Sequence, residues 1–399
     1  MTPSTNVRYL ILALAFMLSL TSCASSSAPA ERGPARRFLW VTRWDYKDAG
    51  DVERLVADAA DAGFDALLFQ VRGAASTFYP SALEPRAPEL DGMPEDYDPL
   101  RTALDAARAR DVEVHAWINC VPSWWGTVPP KDPQHVYHLH PEWHWFDQEG
   151  RRQAFSDRFY VSLNPCLPEV REHIVAVCEE LVTGYELDGL HLDYIRFPNE
   201  PPATPRGSGS DWPRDARTLE LYREATGLAP DDDQASWGAW RAEQVTQLVR
   251  DIRAMVASRT PDLTLSTAVG SEPDGALAAH FQDVEGWIDE GLFDLMLPMN
   301  YTSDLELFSK RLESWKERAQ RVPVVMGVMV KGDAETRAVE LERATSLFPA
   351  IAVFAYHELF ESMNTILTAQ DEDERTRRTE RRAILLPHLP PGVAAPSAD

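Results

Sequence analysis

Only four of the 399 residues are cysteine, which excludes a small fold stapled by disulfides. The apolar run Leu10 to Leu20 is too short for a membrane-spanning helix. Positive charge is scarce, with 39 Lys and Arg against 63 Asp and Glu, and the net charge of −24 argues against nucleic acid or anionic lipid as a docking partner. No glycine-rich phosphate turn follows the first strand, where Trp44-Asp45-Tyr46-Lys47 stands instead; this disfavours an open dinucleotide-binding sheet. No cysteine matches the histidine run His135, His138, His140 and His144, so it reads as structure rather than zinc, and no metal or other cofactor is expected.

The front end carries one basic residue, Arg8, then the apolar run, then Leu20-Thr21-Ser22-Cys23. This resembles a bacterial lipobox, which implies a signal peptide over 1–22, acylation of Cys23, and an N-terminal lipid anchor on the cell envelope, at the periplasmic side of the outer membrane or the cell surface. The other reading is an ordinary signal cut near Ser27, with Cys23 discarded. Ala24 to Pro34 is a run of small and polar residues that cannot bury surface, so 23–36 reads as a flexible tether. The remaining cysteines, Cys120, Cys166 and Cys178, fit either three buried thiols or one bond between Cys120 and Cys166. Beyond Gln370, a mixed charge run and Pro-rich sequence read as a fraying helix and disordered tail over 371–399.

Between these ends, over 37–370, short β-branched or apolar runs alternate with amphipathic stretches, the pattern of repeated βα units. Eight strands are expected: 38–42, 66–72, 112–119, 189–194, 264–269, 295–301, 322–328 and 351–356. Helices are expected at about 51–62, 98–110, 168–185, 237–259, 280–290, 305–318, 336–348 and 361–369. Eight units in sequence favour closure into a (β/α)8 TIM barrel. Its long loops, of about 48 residues after strand three and about 42 after strand four, lie where this fold builds its sites.

Side chains alternate along a strand, so the face opposite the apolar one looks into the barrel. That turns His115, Trp117 and Asn119 inward on strand three, Gln70 and Arg72 on strand two, and His191 and Asp193 on strand four. Asn300 tips strand six; Tyr356 and Glu358 follow from strand eight. Polar groups gathered at C-terminal strand ends point to a polar ligand. Each also has a structural reading: Arg72 as an ion-pair partner, His115 as a satisfied interior histidine. Asp193 ends a buried strand just before a long loop and is the favoured catalyst.

At Tyr185-Glu-Leu-Asp-Gly-Leu-His-Leu-Asp-Tyr-Ile-Arg-Phe-Pro198 the chain resembles the glycosyl-hydrolase-like bacterial lipoproteins known as family 10 glycosyl hydrolase-like, or domain of unknown function 187. Trp40-Val-Thr-Arg-Trp44, Phe69-Gln-Val-Arg72, Tyr97-Asp-Pro-Leu100, Glu113 to Asn119, His140-Pro-Glu-Trp143 and Leu163 to Arg171 match in the same order. The resemblance implies a barrel, export, and hydrolysis of glycosidic bonds, some relatives acting on peptidoglycan glycan strands stripped of peptide. It marks Arg72, His115, Asn119 and Asp193 as the cleft. Relatives commonly carry a second acid directly after the strand-four Asp, where Tyr194 stands here, and a Trp-Arg motif after strand five, where Gly270 to Gly275 stands.

Glycosidases generally need two carboxyl groups. Asp193 supplies one; Glu272 is the first choice for the second, with Glu358 and Asp45 behind it, and strand seven ends in Met326-Gly-Val-Met-Val330 with no acid. Trp124 and Trp125, in the loop after strand three, could carry sugar rings or hold the loop together. The leading reading is a hydrolase of oligo- or polysaccharide. The rivals are a catalytically silent glycan-binding lipoprotein and a metal-dependent hydrolase using the loop histidines.

Overall fold

The computed structural model describes residues 36–198, 212–363 and 372–392. Cys23, the signal sequence, nearly all of the tether and most of the helix expected at 361–369 lie outside the described residues.

The strands are β1 (Arg37–Val41), β2 (Ala66–Arg72), β3 (Glu113–Asn119), β4 (Pro122–Gly126), β5 (Ser156–Ser162), β6 (Gly189–Asp193), β7 (Thr264–Gly270), β8 (Leu295–Met299), β9 (Val325–Met329) and β10 (Ala350–Phe354). Eight of them close a barrel in the order β1-β10-β9-β8-β7-β6-β3-β2, every pair parallel. The protein is thus a (β/α)8 TIM barrel. The other two, β4 and β5, form an antiparallel pair within the long loop after strand three.

The helices are α1 (Ala49–Asp61), α2 (Pro99–Arg108), α3 (Val136–Leu139), α4 (Pro168–Gly184), α5 (Ala216–Thr226), α6 (Gln234–Arg259), α7 (Pro273–His280), α8 (Val284–Asp289), α9 (Leu305–Arg318), α10 (Ala334–Thr345), α11 (Tyr356–Leu359) and α12 (Glu372–Leu385). Local chemistry starts them: Asp48 and Asp51 form a reciprocal capping box on α1, and Asp98 accepts from the Arg101 N–H on α2. On α1, Val52, Leu55, Val56 and Ala59 recur at helical spacing and are all buried. The helix expected at 280–290 is the shorter α8; α7 comes before it and stops at Phe281, which adopts left-handed backbone.

Two apolar layers result. The larger lies between strands and helices and holds Leu39, Leu67, Phe69, Val114, Ile118, Leu190 and Leu192; the smaller fills the barrel with Phe38, Trp40, Leu68, Trp117 and Leu297. Full burial of each such large side chain stabilises by roughly 1.5–3 kcal/mol. Cys120, Cys166 and Cys178 are buried free thiols. The charged stretch beyond Gln370, read from sequence as fraying, includes α12, which packs on α10 and α11; Leu385 and Leu389 join the core. No described helix is long and apolar enough to cross a membrane.

Candidate active site

Strand register sorts the inward side chains by depth. His115 is opposite Gly189, four residues below Asp193 on β6 and so roughly 13 Å deeper. A Cβ at Gly189 would lie 2.1 Å from His115 Nδ1, so the imidazole occupies the space a larger residue would need. Its Nε2 is 3.3 Å from Glu113 and its edge meets Phe38. His191 lies one layer higher, beside Trp117 and Ser266. Trp40 Nε1 donates to His191 Nε2 at 3.3 Å, and Nδ1 is 2.9 Å from Ser266 Oγ. Burial, helped by His115, holds the His191 pKa down at about 3, so the ring stays neutral. Both histidines face inward, yet they lie in the packed interior below the mouth.

Asp193 and Asn119 are register partners at the top. Asn119 accepts from Trp117 Nε1 at 3.1 Å and donates to Gly73 O at 3.1 Å. Asp193 is 6% exposed, and its Oδ1 accepts from the Tyr194 N–H at 2.6 Å. Burial pushes its carboxyl up, against the pull of Arg196, the Tyr194 N–H and Trp117, to about 6. A carboxyl near that value can hold a proton and then surrender it at mildly acid to neutral pH. Tyr194 leaves the strand with φ 48°, a strained value for a non-glycine residue. Its ring meets Tyr160 edge-on at 5.3 Å, and Tyr160 meets Trp125 at 4.9 Å, so an aromatic wall runs from the acid into the strand-three loop. Trp125 is 37% exposed, whereas the Trp124 N–H is spent on Val128 O at 2.7 Å.

Other expected members turn elsewhere. A bulge between Gln70 and Arg72 pairs Arg72 with Ile118, which faces the helices, so Arg72 points outward rather than into the mouth. There Nε and Nη2 clasp Glu84 at 2.7 and 2.6 Å, and His173 on α4 meets the same carboxylate at 2.9 Å. Asn300 also faces outward, its Nδ2 donating to Phe308 O on α9. Tyr356 belongs to the helix-side core and donates to Asp58 at 2.7 Å. Glu272, at the start of α7, pairs with Arg311 on α9 at 2.7 Å with its side chain 52% exposed. Glu358 pairs with Arg381 on α12 at 2.9 Å. Asp45 is buried between the first and last strand ends, accepting from Thr42 N and Oγ1 and lying 3.1 Å from His357 Nδ1.

Sequence reasoning missed four neighbours. Tyr301 is the inward residue after Leu295, Leu297 and Met299, a signal present in strand alternation, and it packs on Trp40 and Phe354. Arg43 donates to Glu89 at 2.9 Å and to Tyr160 Oη at 3.2 Å while lying over Trp44. Tyr160 lies on β5 and His357 on the four-residue α11, both outside the repeating βα units, so the barrel's periodicity does not single them out. The loop histidines are individually occupied: His135 by Ala74 O, His138 by Pro130 O and His144 by Ser123. Among the described residues no group of three or more His, Cys, Asp or Glu could hold a metal ion.

The family described as Glycosyl hydrolase-like 10 matches residues 36–341, most of the barrel and the strand ends from β1 to β9. The chain belongs to the glycosyl hydrolase-like 10 family. It is 24% identical to Glycosyl hydrolase YngK of Bacillus subtilis (strain 168) over 358 residues, 80% of this chain and 64% of that one. It is 26% identical to Glycosyl hydrolase DigH of Escherichia coli (strain K12) over 307 residues, 70% of this chain and 61% of that one. This glycosyl hydrolase-like 10 chain thus spans less than two thirds of those curated relatives. Its fold is shared by the PgaB (BpsB) glycoside hydrolase domain from Bordetella bronchiseptica, with TM-score 0.61 and 15% identity over 86% of this chain and 98% of that one. The catalytic domain of beta-amylase from Paenibacillus polymyxa gives TM-score 0.58 and 11% identity over 87% and 98%.

Proposed function

We propose that the protein is a glycoside hydrolase acting on a polysaccharide or glycan strand, with Asp193 as the acid that protonates the departing glycosidic oxygen. The observation that carries this reading is a buried carboxyl, raised to about 6, at the C-terminal end of strand four of a glycosyl hydrolase-like barrel. The aromatic wall of Tyr194, Tyr160 and Trp125 supplies ring faces on which sugars stack. Of the three acids weighed as partner, Asp45 is the one tied to neither outer helix, and the His357 ring it holds would serve with it to activate water. The lipobox-like Cys23 supports export and anchoring at the cell envelope, where peptide-free cell-wall glycan is the proposed substrate.

The outward pairing of Glu272 and Glu358 favours one alternative, a barrel that binds glycan without cleaving it. One experiment separates the two. Peptide-free glycan strands are incubated with the parent and with Asp193→Asn, and products are weighed by intact mass. Cleavage by the parent, reduced about 10²- to 10⁴-fold in the variant, supports the hydrolase. Tight binding with no shortening by either protein supports the silent binder, and equal cleavage by both defeats the role of Asp193.

A further inference from the structure

Resting on the glycosidase reading of the mouth, we propose that Tyr301 holds the substrate: its hydroxyl donates a hydrogen bond to an oxygen of the sugar unit whose glycosidic bond Asp193 protonates. The Tyr301 ring is wedged against Trp40, 6.3 Å away and edge-on, and Phe354, 5.4 Å away. Its hydroxyl is shut off from solvent and bonds to nothing among the described residues. Phenylalanine would fill the same space without that cost, because a buried donor with no acceptor weakens the free fold. The neighbouring indole donors are spent, Trp40 on His191 and Trp117 on Asn119. Among the described residues, the phenol is therefore the donor left free on this aromatic floor.

Asp193 lies within electrostatic reach of the phenol, and together with burial its charge keeps the O–H protonated. The two groups nevertheless form no bond with each other, and Asp193 Oδ1 is already occupied by the Tyr194 N–H. A ligand oxygen bonded by the phenol beside the carboxyl would satisfy the orphan donor. A donor fixed in an apolar setting needs no reorganisation when charge develops in the transition state, so its contribution appears in turnover.

The test is Tyr301→Phe, which keeps the ring packing and removes only the hydroxyl. The expected results are a Tm equal to or above the parent, a kcat lowered about 100-fold, and an unmoved pH midpoint for the rate. In the Asp193→Asn background, adding Tyr301→Phe should weaken binding of peptide-free glycan strands about tenfold. Parent-like turnover and binding overturn the proposal. So does a Tm loss beyond about 5 °C, which marks a structural hydroxyl, or a shifted pH midpoint, which marks action through Asp193 alone. If the parent cleaves no glycan, the hydrolase reading fails while the binding comparison still decides the role of Tyr301.

Discussion

Asp193 weakens the fold that holds it, and the sign of the effect can be worked out. Its folded pKa of about 6 lies above the ordinary carboxylate range, so between roughly pH 4 and 6 the folded chain binds more protons than the unfolded one. Stability from this group is fully present below about pH 4 and is lost as pH rises through 6, levelling at a cost of roughly 3 kcal/mol. Asparagine does not titrate. Asp193→Asn should therefore melt roughly 3–6 °C higher than the parent at pH 7.5, with the difference gone by pH 4, as thermal melts across pH would record. Equal melting at pH 7.5 would show that the carboxyl is not desolvated. Strand alternation was enough to find Asp193, Asn119 and Trp117, because each lies on an unbroken strand. It also held the means to find Tyr301, passed over for the polar Asn300 beside it.

At the scale of the element, one extra residue in β2 reverses the role of Arg72. Period-two reasoning assumes a regular ladder, and nothing in Phe69-Gln-Val-Arg72 announces the bulge that breaks it. The consequence is a buried Arg72–Glu84–His173 cluster joining β2, the loop after it and α4. Burial raises the Glu84 carboxyl, but Arg72 and His173 outweigh it and hold it at about 2. This depressed carboxylate stabilises above the ordinary carboxylate range, and that stability is lost as pH falls towards 2, opposite to Asp193. Arg72→Met should cost about 3–5 kcal/mol by stranding a buried charge, while Arg72→Met with Glu84→Leu recovers most of it. Denaturant unfolding of the three proteins measures this, and a single variant as stable as the parent would contradict it. Glu272 and Glu358 were singled out from the sequence, but their directions were not legible for another reason: they lie at helix starts, where neither strand parity nor helical period fixes direction.

Across the whole molecule, the barrel was legible because eight apolar runs recur between amphipathic stretches, each burying one face. The closing helix was not, because α12 reads as charge: Arg378 and Arg381 are buried within ion pairs to Glu374 and Glu358, and few apolar residues mark its inner face. At the other end, the proposed anchoring would rest on Cys23. Cys23→Ala should move the protein from the membrane fraction to the soluble one, or leave its leader uncut, as fractionation and mass would show. A cleaved variant still wholly with the membrane would refute the anchor.

The two ends of the described chain meet. Arg37, which opens β1, donates to Pro390 O, and Gly392 lies beside Gly63 and Asp65, so both ends emerge at the base of the barrel, away from the strand ends that carry Asp193. The 14 residues of 23–36 can reach at most roughly 50 Å at full extension. With Cys23 acylated as proposed, the barrel would ride base-down with its opening turned from the bilayer, and would meet polymer layered above the membrane rather than the lipid surface beneath it.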